Sequence, residues 1–426
     1  MSSATPKSAT LKNDLVAPKI TERLVSLDQF RGYTVAGMLL VNYFGGYEVC
    51  PQILKHTNDY CSYADTIMPQ FLFAVGFALR LTFGRRMQTQ GSLAAYGRMI
   101  RRLLGLVLVS LIVYNVSPRA ASWEQMSHMN WGEIFGEPMK RGWFQTLMHI
   151  AVTSLWLLPV VHHSAKVRIA WMLGSALLHV ALSHWFNFAW TNTAPNAIDG
   201  GPLGFLTWCI PAIVGTLACD YFVQPKEHNA RGRSTRKVLL WSAALMLCGY
   251  VISCGTRLYD VTASQATEST AIKLVSDPVW PSEERWNAKL AESQLQNWFA
   301  EPPFVKPPEQ VLQPPAQSAR KWNYWMMSQR AGTLSYLVFA AGFSLLVFVI
   351  FYVACDVYKW QLPFFRTFGT NALVAYIIHG LVDNAVQPFF PKDAPPAIAY
   401  LGLTIYFVVT WLFVKQLEKQ GAYLKV

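Results

Sequence analysis

The chain has 426 residues, of which 53% are hydrophobic and 14% are charged. In soluble proteins about a quarter of all residues are charged, so this composition excludes an ordinary water-soluble domain. The apolar residues fall in blocks of about 20, the helical length that crosses a hydrocarbon layer. We therefore predict an all-α fold, a polytopic transmembrane helical bundle.

About ten membrane-spanning helices are predicted from these apolar blocks. They lie near residues 26–46, 62–83, 101–117, 142–161, 167–188, 203–222, 237–255, 333–354, 364–386 and 396–415. Spans one to seven occupy residues 25–255, and spans eight to ten occupy residues 331–426. Residues 1–24 are rich in Ser, Thr and Lys and lack an apolar signal sequence, so we predict a disordered cytoplasmic tail.

The Lys and Arg residues of the short loops predict the orientation, because cytoplasmic loops retain positive charge. The expected inner cations are Arg85, Arg86, Arg98, Arg101, Arg102, Lys166, Arg168, Arg231, Arg233, Arg236 and Lys237. The 188–202 loop has no Lys or Arg. Ten spans with both termini in the cytoplasm satisfy this distribution, and we expect a multi-pass protein of the bacterial inner membrane.

The formal charge of +12 comes mostly from these inner loops. One interpretation of this charge is the membrane topology together with attraction of the loops to anionic lipid of the bilayer. A second interpretation is that the loops hold a phosphate-bearing cofactor such as coenzyme A, because guanidinium groups pair well with phosphate. Nucleic acid is not predicted as a partner, since the positive residues form no continuous stripe.

A polar, Pro-rich insert occupies residues 256–330, between spans seven and eight, and the alternation of spans places it outside the cytoplasm. We treat it as a candidate lid, and its Trp residues favour interfacial packing over stacking on a sugar. Cys50 and Cys61 lie in the first outer loop on either side of His56. They could form a disulfide there, or they could be two separate buried thiols. The Cys and His spacing predicts no metal site.

Ionisable groups are costly in a bilayer, so their positions point to function. Spans one and two carry Asp28, Arg31, Asn42 and Asp65, and the loop 46–62 between them contains His56. Imidazole is the usual group for accepting a proton near neutral pH, and Asp65 could orient it. The alternatives are structural: an Asp28–Arg31 pair that fixes span one, an Asn42 that bonds a neighbouring helix, and a solvated His56.

A second polar patch lies in span nine. His379 is followed one turn later by Asp383 and Asn384, and this patch is expected to face the same cavity as the first. His149, His179 and His184 lie in apolar helices, where a bond to a neighbouring helix is the favoured role.

Several motifs occur together in one known family. They are SLDQFRG at 26–32, VNYFGG at 41–46, LKH at 54–56, the run from Ala64 and Asp65 to Gly76, DGGP at 199–202, the segments 212–220 and 342–356, and FGTNAL at 368–373. In these the chain resembles heparan-alpha-glucosaminide N-acetyltransferase, a transmembrane acyltransferase. The resemblance covers most spans but not the insert.

The resemblance implies transfer of an acetyl group from cytoplasmic acetyl-CoA to a sugar amine on the outer side. By motif, His56 takes the catalytic role as general base or as transient acetyl carrier, with Asn42 and Asp65 beside it. The supporting polar residues are expected to be Asp28, Arg31, Asn371 and His379. The phosphates of the acetyl-CoA donor are expected to bind Arg85, Arg86, Arg101 and Arg102. The implied partners are a sugar or glycan acceptor and a homodimeric second copy.

One departure from the family pattern affects the donor and the acceptor. The family commonly has Arg after the Gln of a middle-span motif, whereas this chain reads Gly142-Trp143-Phe144-Gln145-Thr146. If that Arg helps to hold the acyl donor, donor binding is altered in this chain. The acceptor is expected to be a sugar, with an amino sugar favoured and a hydroxyl of an envelope glycan as the alternative. The alternative functions are a transporter or exporter of a small sugar or anion, and a structural protein without chemistry.

Overall fold

The fold is a bundle of α-helices, given by a computed structural model that describes residues 24–114, 116, 119–223, 235–261, 274–291, 294–305 and 319–424. The predicted tail, apart from residue 24, lies outside these ranges, as do Arg231 and Arg233 of the expected inner loop. The helices up to residue 192 are α1 Val25–Phe44, α2 Ile67–Gln90, α3 Ser92–Val113, α4 Trp123–His128, α5 Trp131–Glu137, α6 Thr146–Leu157, α7 Ala165–Leu182 and α8 Phe188–Asn192.

The remaining described helices and the two short strands follow in chain order. They are α9 Phe205–Val223, α10 Thr235–Ser253, β1 Asp260–Val261, α11 Glu283–Leu290, β2 Ala319–Arg320, α12 Leu334–Phe351, α13 Pro363–Thr370, α14 Ala372–Val386 and α15 Pro396–Lys419. The strands pair antiparallel, with Asp260 opposite Arg320. Each predicted span therefore coincides with helix.

Six helical segments of the described residues are long and apolar enough to cross a membrane. They are Ala64–Gln90, Ala165–Asn192, Gly201–Val223, Thr235–Tyr259, Leu334–Val357 and Pro396–Lys419. The other four predicted spans are helical but fall outside this set for physical reasons. α1 contains charged residues, and α3 has three arginines in its first half. α6 has 12 residues, and the ninth span is divided into α13 and α14 at Asn371.

Glycines allow two helix pairs to cross at very short distance. A Cβ atom added at Gly32 of α1 would lie 1.8 Å from the carbonyl oxygen of Phe365, and one at Gly369 would lie 1.8 Å from that of Asp28. Gly215 of α9 meets α2 in the same way, 2.1 Å from the carbonyl oxygen of Phe73. Small residues at crossings are how membrane helices gain contact area without a hydrophobic driving force.

Two buried clusters fill the bundle. The larger lies around α2, α9 and α12 and contains many aromatic side chains, among them Phe73, Phe77, Trp208 and Phe348. The other joins α1 to α14 and α15, where Tyr43 stacks on Tyr406 with ring centroids 4.5 Å apart. These clusters fix the positions of the helices whose ends carry the polar residues.

The loops predicted to face outwards meet at one end of the bundle. Phe304 N of the insert donates to Cys61 O of the first loop at 3.2 Å. Glu48 N of the same loop donates to Lys392 O at 3.0 Å. The insert in turn accepts at Arg330 O from Gly200 N, at 2.9 Å. Four chain segments that are far apart in sequence are therefore joined by hydrogen bonds at this end.

Segments predicted to face inwards share contacts at the other end. The backbone N–H groups of Val25 and Ser26 donate to the Asp356 carboxylate, at 3.2 and 3.3 Å. Asn371 donates from its amide to Ala422 O at 2.9 Å, which joins the division of the ninth span to the C-terminal segment. The segments that the alternation of spans assigns to one side are therefore in contact with each other.

The described part of the insert is folded and rich in ion pairs. Arg320 pairs with Asp260 at 2.6 Å and with Glu301 at 3.0 Å, and Arg257 pairs with the same two carboxylates at 3.3 Å. These pairs surround the short β1–β2 ladder. Cys50 and Cys61, for which the sequence left a disulfide open, are both buried free thiols.

Candidate active site

His56 lies in the first outer loop, just after a short 3-10 turn at Gln52–Leu54. Its Nδ1 atom is 2.9 Å from Oδ1 of Asp65, which sits in the 3-10 turn Ala64–Thr66 at the start of α2. The imidazole is 47% exposed, whereas the carboxylate is 1% exposed. The predicted pairing of these two residues is thus present, with the acid buried and the base open to the outer end of the bundle.

The Asp65 carboxylate is held by its own loop. The backbone N–H of Ser62 donates to Oδ2 at 3.0 Å, and the hydroxyls of Ser62 and Thr57 lie 3.0 and 3.2 Å from the same atom. The hydroxyl of Tyr336 on α12 donates to the Asp65 carbonyl at 2.5 Å and fixes the turn against the bundle. The carboxylate can therefore present Oδ1 to His56 in one orientation.

This geometry determines which imidazole nitrogen is available. Because Nδ1 of His56 faces the carboxylate, the neutral ring keeps its proton there and exposes the lone pair of Nε2. Burial disfavours the charged imidazolium, but the hydrogen bond and the charge of Asp65 outweigh it and raise the pKa of His56. The pair is suited to accept a proton, or an acyl group, at Nε2.

Two further polar residues form a hydrogen-bonded pair beyond His56, and the sequence analysis assigned neither to the site. Gln329, at the end of the insert, donates from its amide nitrogen to Oδ1 of Asp199 at 2.9 Å. The charge of Asp199 contributes to the raised pKa of His56. Asp199 is buried in the 193–204 turn before α9. Its place in the DGGP motif was the sequence signal, but nothing linked it to residue 329.

The structure places Asn42 in a second polar group. Its amide nitrogen lies 3.4 Å from Nε2 of His379, and no hydrogen bond joins it to His56 among the described residues. His379 in turn contacts the carbonyl of Tyr376, whose hydroxyl bonds to that of Tyr114. The predicted patch of span nine and the end of α1 are therefore adjacent, and Asn42 lies beside His379 and not beside His56, where the sequence analysis had placed it.

The inner end of α1 contains the predicted Asp28–Arg31 pair, with 2.5 Å between Oδ1 and the guanidinium nitrogen. Arg102 interacts electrostatically with both Arg31 and Arg86. Two of the predicted donor-binding cations, Arg86 and Arg102, and the supporting residue Arg31 are therefore within electrostatic range of one another, and guanidinium groups so placed suit a phosphate. Arg85 and Arg101 are exposed side chains.

Asn371 has a role that the sequence did not indicate. It is buried at the division between α13 and α14, and its oxygen accepts from Leu424 N at 3.4 Å while its amide donates to the C-terminal segment. It lies at the end of the bundle that is predicted to face inwards, so it supports the helix division rather than the His56 loop.

A buried ion-pair group connects α2, α7 and α9. Asp220 accepts from Arg80 Nε at 2.7 Å and from the Arg168 guanidinium, which also donates to Thr216 at 2.6 Å. Arg168 was expected to be an inner-loop cation, but its side chain is 1% exposed. Pairing with Asp220 explains how this charge is buried.

No group of three or more His, Cys, Asp or Glu side chains that could hold a metal occurs in the described part of the chain. The residues suited to a ligand are the half-exposed His56 imidazole at one end of the bundle and the arginines at the other. Comparison of the sequence with models of known families and with curated proteins gives no match.

Proposed function

We propose that the protein is a membrane-embedded acyltransferase that moves an acetyl group from cytoplasmic acetyl-CoA to a sugar, favouring an amino sugar, on the extracytoplasmic side. The observation that carries this proposal is the His56–Asp65 pair, with a buried carboxylate on Nδ1 and an open Nε2. The resemblance to heparan-alpha-glucosaminide N-acetyltransferase supports the choice of reaction.

In the direct form of this reaction, Nε2 of His56 takes the proton of the sugar amine as the nitrogen attacks the thioester carbonyl carbon. The C–N bond forms, the C–S bond breaks, and the imidazolium returns the proton to the departing thiolate. In the two-step form, Nε2 itself attacks the thioester, the C–S bond breaks and the thiolate of coenzyme A leaves. The sugar amine then attacks the acetyl-imidazole, the bond from the acetyl carbon to Nε2 breaks, and the freed imidazole takes up the amine proton that finally neutralises the thiolate. Asp65 stabilises the positive imidazole in both forms.

The donor's charged end is proposed to bind at the other end of α1. Arg31, Arg86 and Arg102 would face the phosphates of coenzyme A, and Arg85 and Arg101 extend the positive surface. We propose that the chain has ten spans with both termini in the cytoplasm, in a membrane such as the bacterial inner membrane. The basic residues lie near the start of α1 and His56 lies in the loop that follows its end, and this separation supports the proposal.

The test is acetyl transfer by purified protein from radiolabelled acetyl-CoA to glucosamine-type acceptors. We expect His56→Ala to lose transfer, whereas His128→Ala, on the exposed helix α4, keeps it and serves as the matched control. Equal labelling by wild type and His56→Ala would refute the role of the imidazole.

One observation favours a transporter as the second candidate. The ninth span is divided at Asn371, and divided helices form the substrate sites of many secondary transporters. Uptake of a sugar or an anion into proteoliposomes in the absence of any acyl donor would support this candidate over the acyltransferase.

A further inference from the structure

The buried face of α7 and of the turn that follows it carries three polar side chains. His179, Ser183 and Asn187 are fully or almost fully buried. Nε2 of His179, Oγ of Ser183 and both polar atoms of the Asn187 amide have no hydrogen-bond partner among the described residues. We propose that these four atoms bind a small cluster of ordered water, in a site between α7 and the insert. The inference is independent of the proposed acyl transfer.

A π-helical turn brings the three side chains onto one face. α7 ends at Leu182, and the turn Ser183–Asn187 follows it directly. In a continuous α-helix, residues eight apart diverge by about 80° around the axis. A π turn contains more residues than an α turn, so it reduces this divergence and brings Asn187 back over Ser183. Residues one turn apart on a helix have Cβ atoms about 5–6 Å apart, a distance that one bridging water can span.

The helix itself does not satisfy the Ser183 hydroxyl. Ser and Thr side chains inside helices often donate to a carbonyl one turn back. Thr191 in the next helical segment does so, to the carbonyl of Phe188 at 3.0 Å, and the Asn192 amide donates to the same atom at 2.9 Å. Ser183 and Asn187 make no such bond within the described part of the chain. Their polar atoms are therefore available to another partner.

The insert covers this face through Tyr324. Its hydroxyl lies 2.8 Å from Nδ1 of His179, and its ring packs edge-on against Phe188, with centroids 6.0 Å apart. Tyr324 is itself fully buried. The sequence analysis favoured a neighbouring helix as the partner of His179, whereas the observed partner is the insert. Because Nδ1 is used in this bond, Nε2 is the nitrogen left for a further ligand.

The chemistry of the face selects a small neutral ligand. Residues 175–192 include no Asp, Glu, Lys or Arg, so no formal charge is offered to an ion. The amide, the hydroxyl and the imidazole can each donate or accept a hydrogen bond. Water has the same capacity and binds buried polar groups through about three hydrogen bonds. The other face of the helix is apolar, with the exposed side chains Leu173, Leu177, Leu178, Trp185 and Phe186.

The experiment is hydroxyl-radical labelling of the full-length protein in detergent by a pulsed X-ray beam. The beam generates radicals from water that lies beside a side chain, including a buried one, and mass spectrometry identifies the oxidised residues. Tyr324 is the reporter of the proposed site. Tyr259 is the matched control, since it is equally buried and its hydroxyl donates to the carbonyl of Asp277 at 2.8 Å.

Two variants connect the labelling to the polar face. The double variant Ser183→Ala/Asn187→Leu removes three of the four unpaired atoms. Asn192→Leu changes the same segment and leaves all four atoms in place, so it serves as its control. We expect Tyr324 to be oxidised several-fold faster than Tyr259 in wild type and in Asn192→Leu, and we expect the double variant to lose this excess.

The unfolding temperature gives a second readout with a defined sign. The double variant should unfold at a lower temperature than wild type because it loses the hydrogen bonds to water, whereas removal of dry unpaired atoms would raise that temperature. Oxidation of Tyr324 no faster than that of Tyr259 overturns the proposal, and so does an unfolding temperature at or above that of wild type. Oxidation through transient opening of the insert would persist in the double variant, and that result also overturns it. Should the double variant fail to fold, the comparison of Tyr324 with Tyr259 in wild type decides.

Discussion

Replacement of Asp65 by Asn is predicted to prevent His56 from acting as a base while keeping the shape of the loop. The N–H of Ser62 always donates, so the oxygen of the new amide must take the place of Oδ2, where it accepts at about the 3.0 Å seen for Asp65. The NH2 group of the amide then faces His56. It donates to Nδ1 and forces the ring proton onto Nε2, the atom that has to accept the substrate's proton.

The expected loss is large because the wrong tautomer prevails. In serine proteases the corresponding Asp-to-Asn change lowers kcat by about 10⁴ with intact geometry, and we expect a loss of about 10³ to 10⁴ here. The measurement is kcat for acetyl transfer at saturating acetyl-CoA. Thr57→Val, which removes only a hydroxyl 3.2 Å from Oδ2, is the matched control and should lose less than about tenfold. An Asp65→Asn enzyme within tenfold of wild type would refute the tautomer argument.

The wild-type pH profile follows from the same pair. Asp65 raises the pKa of His56 above its ordinary value, and only the neutral ring can act as a base. The rate of acetyl transfer should therefore increase with pH through this raised pKa and fall below it. A rate that is constant from pH 5 to pH 8 would show that His56 does not titrate in the rate-limiting step.

Three further predictions concern stability and donor binding. Asp220→Asn leaves the buried Arg168 without its partner charge and should destabilise the protein by about 3–5 kcal/mol, seen in denaturation of the detergent-solubilised protein; an unchanged transition would contradict the assignment. Gly215→Ala places a Cβ 2.1 Å from a carbonyl of α2 and should cost about 1–3 kcal/mol, whereas Gly174→Ala, which meets no atom within 4 Å, should be neutral. Arg102→Gln should weaken coenzyme A binding about tenfold by calorimetry, through loss of one charge-assisted contact, and an equal affinity would place the phosphates elsewhere.

The helices and the central pair were predictable from the sequence for local reasons. The length of each apolar block predicts the length of its helix. His56 and Asp65 are nine residues apart across one loop, so their pairing is a local contact. Span one contains Asp28 and Arg31 and still forms the helix α1, because packing against α13 through Gly32 compensates for its polar residues.

The rest of the site depends on contacts that no local pattern encodes. Gln329 and Asp199 are 130 residues apart, and although Asp199 stands in the DGGP motif, nothing in the sequence connects it to Gln329. Arg168 was interpreted as a loop cation because its partner, Asp220, is 52 residues further on. The sequence delimited the insert but did not predict its ion pairs, which join segments 60 residues apart.

The junction between the first outer loop and the insert has a consequence for biogenesis. Tyr60 donates to the carbonyl of Val305, 245 residues away, at 2.5 Å, and Cys61 accepts from Phe304. The loop that carries His56 leaves the ribosome long before these partners exist, since chains fold from the N-terminus during synthesis. A nascent chain that ends before the insert therefore has the reactive imidazole but not its surroundings, and the site matures only when synthesis has reached the last third of the protein.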